Sequence, residues 1–360
     1  MKLYSETIIL LYKNKLKFSG SFLEKYQNMQ SFSSDNIIVH QAEHQGYSIL
    51  KEKLNFGDHE YKYTEDTGTI FEIIHNGSIL IVSSVCDGHA GYMTSFYVTS
   101  IMKKMFLASI AEAGDDISAA LTILFAKIAA EIKKMRFLMG GSGATCNVTV
   151  FDKTNARVYI ASLGDSPTIR YRKNDQNLYF MDWRSTDQDC SDPEEIDRMI
   201  QIHIKNGDIN ATRSSVVYED ESEGKKSGIY RNTRSQMMLH SSFGDFPRDY
   251  YPGVVNTVPR IYSHDWLSED VYIQCSDGLL EWLANNLTSI QPRSKFRVEE
   301  IASHLDTCIN DENIASRLHE LQITSMVTTK VEAHPTRPDS SYNWVEKNFD
   351  NHITKVFMAV

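Results

Sequence analysis

The chain has 360 residues, of which 41% are hydrophobic and 11% aromatic, enough to build a large core and to exclude disorder for most of its length. Its formal net charge of −10 argues against a nucleic-acid-binding surface, because phosphate backbones require a basic face. The 5 cysteines are widely spaced and form no Cys-x-x-Cys pair. They predict reduced thiols in a cytoplasmic or nuclear protein, rather than a disulfide framework or a zinc site.

The first 45 residues carry no readable chemistry, and we expect an N-terminal extension or an edge strand there. The apolar run near the N-terminus, Ile8 to Tyr12, is too short for a signal sequence or a membrane span, and no other run approaches that length. No internal repeat or low-complexity linker divides residues 46–360. We therefore expect a single domain there, without a membrane segment.

The first strong element is an apolar run at 77–86, rich in β-branched residues, which predicts a strand. Two helices follow it. Met93, Tyr97, Ile101 and Met105 recur every fourth residue, which indicates the first helix. Asp115 and Asp116 are capping candidates for the second, whose apolar positions are Ile117, Leu121, Leu124, Ile128, Ile132 and Met135.

Further strands are predicted at 146–152, 156–164, 270–276 and 353–360, and further helices at 192–203 and 297–320. Residues 204–235 are polar and predict a surface excursion. Because the helices occur in pairs between strands, the pattern favours an α/β sandwich over a parallel sheet with β-α-β alternation.

Carboxylates stand at the ends of five separate strands. Asp87-Gly88, Asp165 and Asp277-Gly278 follow strands, and Glu65-Asp66 and Asp350-Asn351 precede them. Each motif alone is most often a turn or a helix cap. If the sheet gathers them at one edge, however, their repulsion requires cations.

A set of candidate ligands that consists of carboxylate oxygens, with hardly any His or Cys, favours Mg²⁺ or Mn²⁺. Two such ions can activate a bridging water and clamp a phosphoryl group. The glycine beside Asp87 lets its backbone carbonyl approach a metal ion.

In this order the motifs resemble the metal-dependent Ser/Thr protein phosphatases of type 2C, the PPM family. The matching stretches are "TED" (64–66), "VCDGHAG" (85–91), "GSGATCNVTV" (141–150), "VYIASLGDS" (158–166), "STDQD…EEIDRM" (185–199), "SFGDF" (242–246), "SEDVYIQCSDGLLEWL" (268–283) and "DNHIT" (350–354). The resemblance implies an α/β (α+β) four-layer α-β-β-α sandwich, with two central, mainly antiparallel sheets flanked by pairs of helices. It places the whole catalytic domain within 46–360, with a variable flap at about 200–240.

The resemblance also implies the roles of the site residues. Asp87 would bridge two Mg²⁺ or Mn²⁺ ions, and Gly88 would contribute its carbonyl oxygen to them. His89 would be the general acid that protonates the leaving oxygen. The remaining implied metal ligands are Asp277 and Asp350 at one ion, Glu65 with Asp66 nearby at the other, and Asp165, Asp277 and Glu281 at a possible third. A water bridged between the two metal ions would attack phosphorus directly, without a phosphoenzyme.

The chain departs from the family at several positions. Where the family has a phosphate-gripping Arg, it has Tyr61 with Lys62 adjacent, so Lys62 is the candidate for the substrate phosphate. The family's Arg after Gly-Asp-Ser is Pro167, and the His of its Asp-His pair is Gln188. The final strand carries one extra residue in "DNHITKV".

Three functions remain open. The first is an active metal-dependent protein serine/threonine phosphatase, monomeric and acting on phosphoproteins. The second is a weakly active or inactive phosphatase-like scaffold, suggested by Tyr61. The third is a metal-dependent hydrolase of small phosphate esters, which would prefer these to phosphoproteins.

Overall fold

A computed structural model describes residues 31–34, 37–44, 65–189, 192–220, 227–230, 241–246, 253–281, 293–309, 314–315, 317–318 and 352–359. The described strands are β1 (Ser31–Ser34), β2 (Ile37–His44), β3 (Thr67–His75), β4 (Ser78–Cys86), β5 (Gly88–His89), β6 (Gly143–Ala144), β7 (Cys146–Asp152), β8 (Arg157–Leu163), β9 (Thr168–Lys173), β10 (Tyr179–Arg184), β11 (Val217–Asp220), β12 (Ser227–Tyr230), β13 (Phe243–Gly244), β14 (Arg260–Asp265), β15 (Val271–Cys275) and β16 (His352–Ala359). The described helices are α1 (Met93–Ala113), α2 (Ile117–Lys134), α3 (Arg136–Met139), α4 (Pro193–Lys205), α5 (Arg213–Val216), α6 (Gly278–Glu281) and α7 (Arg293–Cys308).

Two antiparallel sheets form the centre of the fold. One has five strands in the order β14-β8-β7-β4-β3, and the other has six in the order β1-β2-β16-β15-β9-β10. A third, small sheet has the order β13-β6-β5. The five strands predicted from apolar runs are all confirmed, each within one residue at either end.

The large sheets pack face to face through an aromatic cluster. Phe151 of β7 is fully buried there, with its ring centroid 4.6 Å from that of Phe357 on β16. Trp266 and Tyr272 contact the same ring from the side. Because both faces of β7 are covered, its seven residues are buried without alternation.

Helices α1 and α2 cover the outer face of the five-stranded sheet, as the sequence predicts for a paired helical layer. Asp116 caps α2 by accepting a hydrogen bond from the backbone N–H of Ala119 (2.9 Å), which confirms its capping role. The predicted apolar positions of α2 are buried except Met135, which is half-buried.

The buried face of α1 differs from the predicted one. Val98, Met102, Phe106 and Ile110 are buried. The predicted stripe, which starts at Met93, lies beside them and is only half-buried. Because α1 also packs on α2, both neighbouring stripes are apolar, and the sequence period alone could not separate them.

The outer face of the six-stranded sheet is covered by α6 and α7, whose buried residues include Leu279, Val298, Ile301 and Leu305. The prediction of one helix over 297–320 was wrong in its limits, because α7 spans Arg293–Cys308. The buried clusters thus lie in four layers: helices, sheet, sheet and helices.

Two further regions contain more structure than the sequence indicates. β1 and β2 lie in the segment predicted as an N-terminal extension or an edge strand; β1 is the outermost strand of its sheet, and β2 pairs with β16. The polar excursion contains α5 and an antiparallel hairpin of β11 and β12. The domain limits remain a prediction. No helix in the described ranges is both long and apolar enough to cross a bilayer.

Candidate functional site

Antiparallel pairing brings the predicted strand ends to one edge of the five-stranded sheet. Cys86, which ends β4, lies opposite Thr67, which begins β3. Cys146, which begins β7, lies opposite Leu163, which ends β8. The carboxylates at 65–66, 87 and 165 stand within two residues of these positions. The sheet therefore gathers them at a single edge.

The six-stranded sheet contributes to the same edge. The backbone N–H of Cys275, at the end of β15, donates to the carbonyl of Pro167 (3.1 Å). Pro167 lies two residues after Asp165, and Cys275 lies two residues before Asp277. This hydrogen bond links the segments that carry the two carboxylates.

Glu65 and Asp66 pack directly against the Asp-Gly turn. The N–H of Gly88 donates to Oδ1 of the buried Asp66 (3.3 Å). A Cβ at Gly88 would lie 2.3 Å from the Glu65 carbonyl oxygen and 2.8 Å from Ser95 Oγ. Only glycine fits at this close approach, so the buried backbone of Gly88 packs directly on the Glu65 carbonyl and the Ser95 hydroxyl.

Asp87 is held through its backbone by Thr145, which lies between β6 and β7. Its N–H donates to Thr145 Oγ1 (3.2 Å), and its carbonyl accepts from the N–H of Thr145 (2.9 Å). Thr145 Oγ1 also hydrogen-bonds Ser166 Oγ (2.6 Å). Thr145 therefore connects Asp87 to the turn that carries Asp165.

Gln188, where the family has His, has a structural role that the sequence did not reveal. Its N–H donates to the Gly164 carbonyl (2.9 Å), and its side-chain Oε1 accepts from the Gly164 N–H (3.2 Å). Its Nε2 donates to the carbonyl of Val258 (3.3 Å). These bonds fix the turn before Asp165. In the sequence, the indication of a role for Gln188 was its position in the matching stretch "STDQD".

Asp277 begins the turn into α6, and its carbonyl accepts from the N–H of Leu280 (2.7 Å). Glu281 ends α6, but its side chain lies outside the described residues. Asp350 and the predicted phosphate contact Lys62, with its neighbour Tyr61, also lie outside them.

His89 forms a pair with Asp245, to which sequence analysis gave no role. His89 Nε2 lies 2.7 Å from Asp245 Oδ2. Asp245 is 1% exposed, whereas the His89 side chain is 26% exposed. The only signal for Asp245 was its position in "SFGDF", because the two residues are 156 positions apart.

Cys86 and Cys146, two described cysteines near the site, are unsuited to nucleophilic attack. Cys86 and Cys146 are fully buried, with 3.5 Å between their Sγ atoms. Burial and the neighbouring Cys86 raise the pKa of Cys146 well above its usual value. A neutral, inaccessible thiol is a poor nucleophile.

The residue types at this edge fit Mg²⁺ or Mn²⁺. The carboxylates of Glu65, Asp66, Asp87, Asp165 and Asp277 supply oxygen only, the donor that hard cations prefer. Within the described residues, no group of three or more His, Cys, Asp or Glu side chains is arranged to hold a metal ion. Two of the implied ligands, Asp350 and the Glu281 side chain, lie outside that description.

Comparison with known proteins agrees with this geometry. The family model described as "Protein phosphatase 2C" matches residues 78–289. The search of the curated proteins finds no significant match.

Many solved structures are similar in fold, including the following two. The serine-threonine phosphatase 2C from Toxoplasma gondii has a TM-score of 0.64 and 13% identity, over 92% of this chain and 99% of that one. A C. elegans sex determining protein has a TM-score of 0.58 and 14% identity, over 91% of this chain and 65% of that one. With the family match over more than half of its length, the chain belongs to the protein phosphatase 2C family.

Proposed function

We propose that this protein is a metal-dependent protein serine/threonine phosphatase that hydrolyses phosphoserine and phosphothreonine in protein substrates. The observation that carries the proposal is the gathering of carboxylate-bearing strand ends at one sheet edge, with the His89–Asp245 pair beside them. The family is generally Mg²⁺- or Mn²⁺-dependent.

Asp87, the Gly88 carbonyl, Glu65 with Asp66 nearby, Asp277 and Asp350 would hold two ions, with Asp87 as the proposed shared ligand. Asp165, Asp277 and Glu281 are proposed for a third ion. Such ions, when bound, supply charge neutralisation for the phosphoryl group and lower the pKa of bridging water.

The chain's own residues do the rest of the chemistry. The Thr145 hydrogen bonds fix the backbone of Asp87, and the Gly88 N–H holds the Asp66 carboxylate. The proposed general acid is His89, which would give a proton to the leaving seryl or threonyl oxygen; its partial exposure supports this role. Lys62 is the proposed contact for the substrate phosphate. A monomeric state and a cytoplasmic or nuclear location remain predictions.

The alternative is a phosphatase-like scaffold with little or no activity. It is favoured by Tyr61, because a phenol does not supply the guanidinium fork with which the family grips the substrate phosphate at that position. A small-ester hydrolase is the third possibility.

Phosphate release separates these functions. A phosphothreonine peptide and p-nitrophenyl phosphate are each incubated with the wild-type protein in Mn²⁺, in Mg²⁺ and in EDTA. Asp277→Asn is the test variant, and Asp175→Asn, exposed in the turn between β9 and β10, is the matched control. We expect metal-dependent release from the wild type and the control, with a loss of about 10²-fold or more in Asp277→Asn.

If neither the folded wild-type protein nor Asp277→Asn released phosphate above the level in EDTA, the scaffold alternative would hold. If Asp277→Asn kept full activity, the site assignment would be wrong. A strong preference for p-nitrophenyl phosphate over the peptide would favour the small-ester hydrolase.

A further inference from the structure

We propose that Asp245 is a positioning residue: it holds His89 through Nε2 and leaves Nδ1 as the nitrogen that faces the leaving oxygen. This inference names the reacting nitrogen and rests on the proposed function. His89 Nε2 and Asp245 Oδ2 are 2.7 Å apart. In the part of the chain that the structure describes, Nδ1 of His89 has no hydrogen-bond partner.

The Asp245 carboxylate is itself fixed. Ser242 Oγ donates to the same Oδ2 atom (2.6 Å), and the N–H of Asp245 donates to the carbonyl of Ser142 (3.1 Å). Asp245 adopts φ of 54°, a left-handed conformation that non-glycine residues seldom take. A buried carboxylate held in this way is fixed, so it sets the orientation of the His89 imidazole.

The small three-stranded sheet brings the pair together. His89 of β5 lies opposite Gly143 of β6, and Gly143 lies opposite Gly244 of β13, the residue before Asp245. A Cβ at Gly143 would stand 2.1 Å from Asp245 Oδ2 and 2.2 Å from His89 Nε2. The backbone of Gly143 therefore packs against the hydrogen-bonded atoms, so any larger residue would displace them.

Because Nε2 is hydrogen-bonded to Asp245, the proton that His89 can transfer is the one on Nδ1. A neutral imidazole that donates from Nε2 to a carboxylate has Nδ1 as its acceptor, and the imidazolium donates from Nδ1 to a second partner. His89 is exposed enough to reach substrate, whereas Asp245 is enclosed. Loss of Asp245 should therefore impair proton delivery without removing the acid.

Proton delivery matters most for poor leaving groups. A threonyl alkoxide must be protonated as it departs, and general acid catalysis contributes about 10²- to 10⁴-fold to such a step. p-Nitrophenolate is a stable anion and departs without a proton. Where an aspartate orients a catalytic histidine, replacement by Asn lowers turnover by as much as about 10⁴-fold, because the amide selects the wrong tautomer.

The kinetic experiment compares the kcat of both substrates in the wild type, Asp245→Asn, His89→Ala and the double variant. We expect Asp245→Asn to lower kcat for the phosphothreonine peptide by about 10²-fold or more and for p-nitrophenyl phosphate by less than about 3-fold. In the His89→Ala background the Asn substitution should have no further effect. Ser242→Ala, which keeps the Asp245 charge, should give a smaller change in the same direction and serves if Asp245→Asn does not fold.

A second readout does not depend on activity. Long-range ¹H–¹⁵N spectra of the metal-free protein report which imidazole nitrogen carries the proton, and His89→Ala assigns the signal. We expect protonated Nε2 in the wild type and a changed pattern in Asp245→Asn, with Asp175→Asn as the unchanged control.

The outcomes separate this inference from the proposed function. If the wild type hydrolyses neither substrate, the proposed function fails and the spectra alone decide whether Asp245 holds Nε2. If the wild type is active but Asp245→Asn slows both substrates equally, or if wild-type His89 carries its proton on Nδ1 alone, the positioning role is wrong.

Discussion

Replacing Gly143 by Ala tests how closely the backbone packs on the His89–Asp245 pair. The new Cβ would lie 2.1 Å from Asp245 Oδ2, so one of the two must retreat by about 1.3 Å to reach an ordinary contact of 3.4 Å. A displacement of about 1 Å at a reacting group costs about 10²-fold in rate, or about 2.7 kcal/mol of barrier. The displaced atoms are side-chain tips. The free energy of unfolding should therefore fall by only about 1 to 2 kcal/mol, the value of one hydrogen bond.

The assay measures kcat for the phosphothreonine peptide and the free energy of unfolding in urea for the same preparations. Gly207→Ala is the matched control, because Gly207 has positive φ and nothing within 4 Å of its added Cβ. It should destabilise the protein by about 1 kcal/mol through backbone strain without lowering kcat. Full activity in Gly143→Ala, or an equal loss in the control, would refute the reasoning.

Two further predictions concern stability. Phe151→Ala should lower the free energy of unfolding by about 3 to 5 kcal/mol, because it empties the aromatic cluster between the sheets; a urea midpoint close to that of the wild type would contradict this packing. Burial raises the pKa of Asp187 to about 6, although Arg184 opposes the shift. The native state therefore binds this proton more tightly than the unfolded state, and the carboxylate destabilises the fold above pH 6 but not below pH 4. The full effect of this pKa shift on the free energy of unfolding is about 3 kcal/mol. Because 24% of the side chain is exposed, we expect Asp187→Asn to be more stable than the wild type by about 1 to 2 kcal/mol at pH 7.5 and equal to it at pH 4. Urea unfolding at both pH values checks this, and a difference independent of pH would contradict it.

Strands were the part of the fold that the sequence predicted best. The runs at 77–86 and 146–152 are rich in β-branched residues and buried along most of their length because the sheet they form is covered on both faces, and such runs can be read locally. The presence of α1 and α2 could also be predicted from the sequence. The sequence could not show which face of α1 is buried. Because α1 contacts both the sheet and α2, it has two adjacent apolar stripes of similar composition.

Part of the site was also readable in advance. Asp87, Gly88 and His89 are consecutive, and their motif is specific in combination with the other strand ends. Gln188 and Asp245 carried weaker signals, because each acts through a residue far away in the chain. Their hydrogen bonds to Gly164 and His89 depend on how the strands pair.

The sequence by itself determined the strands, the chemical types at their ends and the oxygen-only donor set, because these are local properties of short segments. Only the tertiary structure decided that β5, β6 and β13 would place His89 and Asp245 on either side of Gly143. The physical reason is that a hydrogen bond between residues 156 positions apart depends on the register of strands that no local pattern encodes. The nitrogen of His89 that remains for substrate is likewise a consequence of that register.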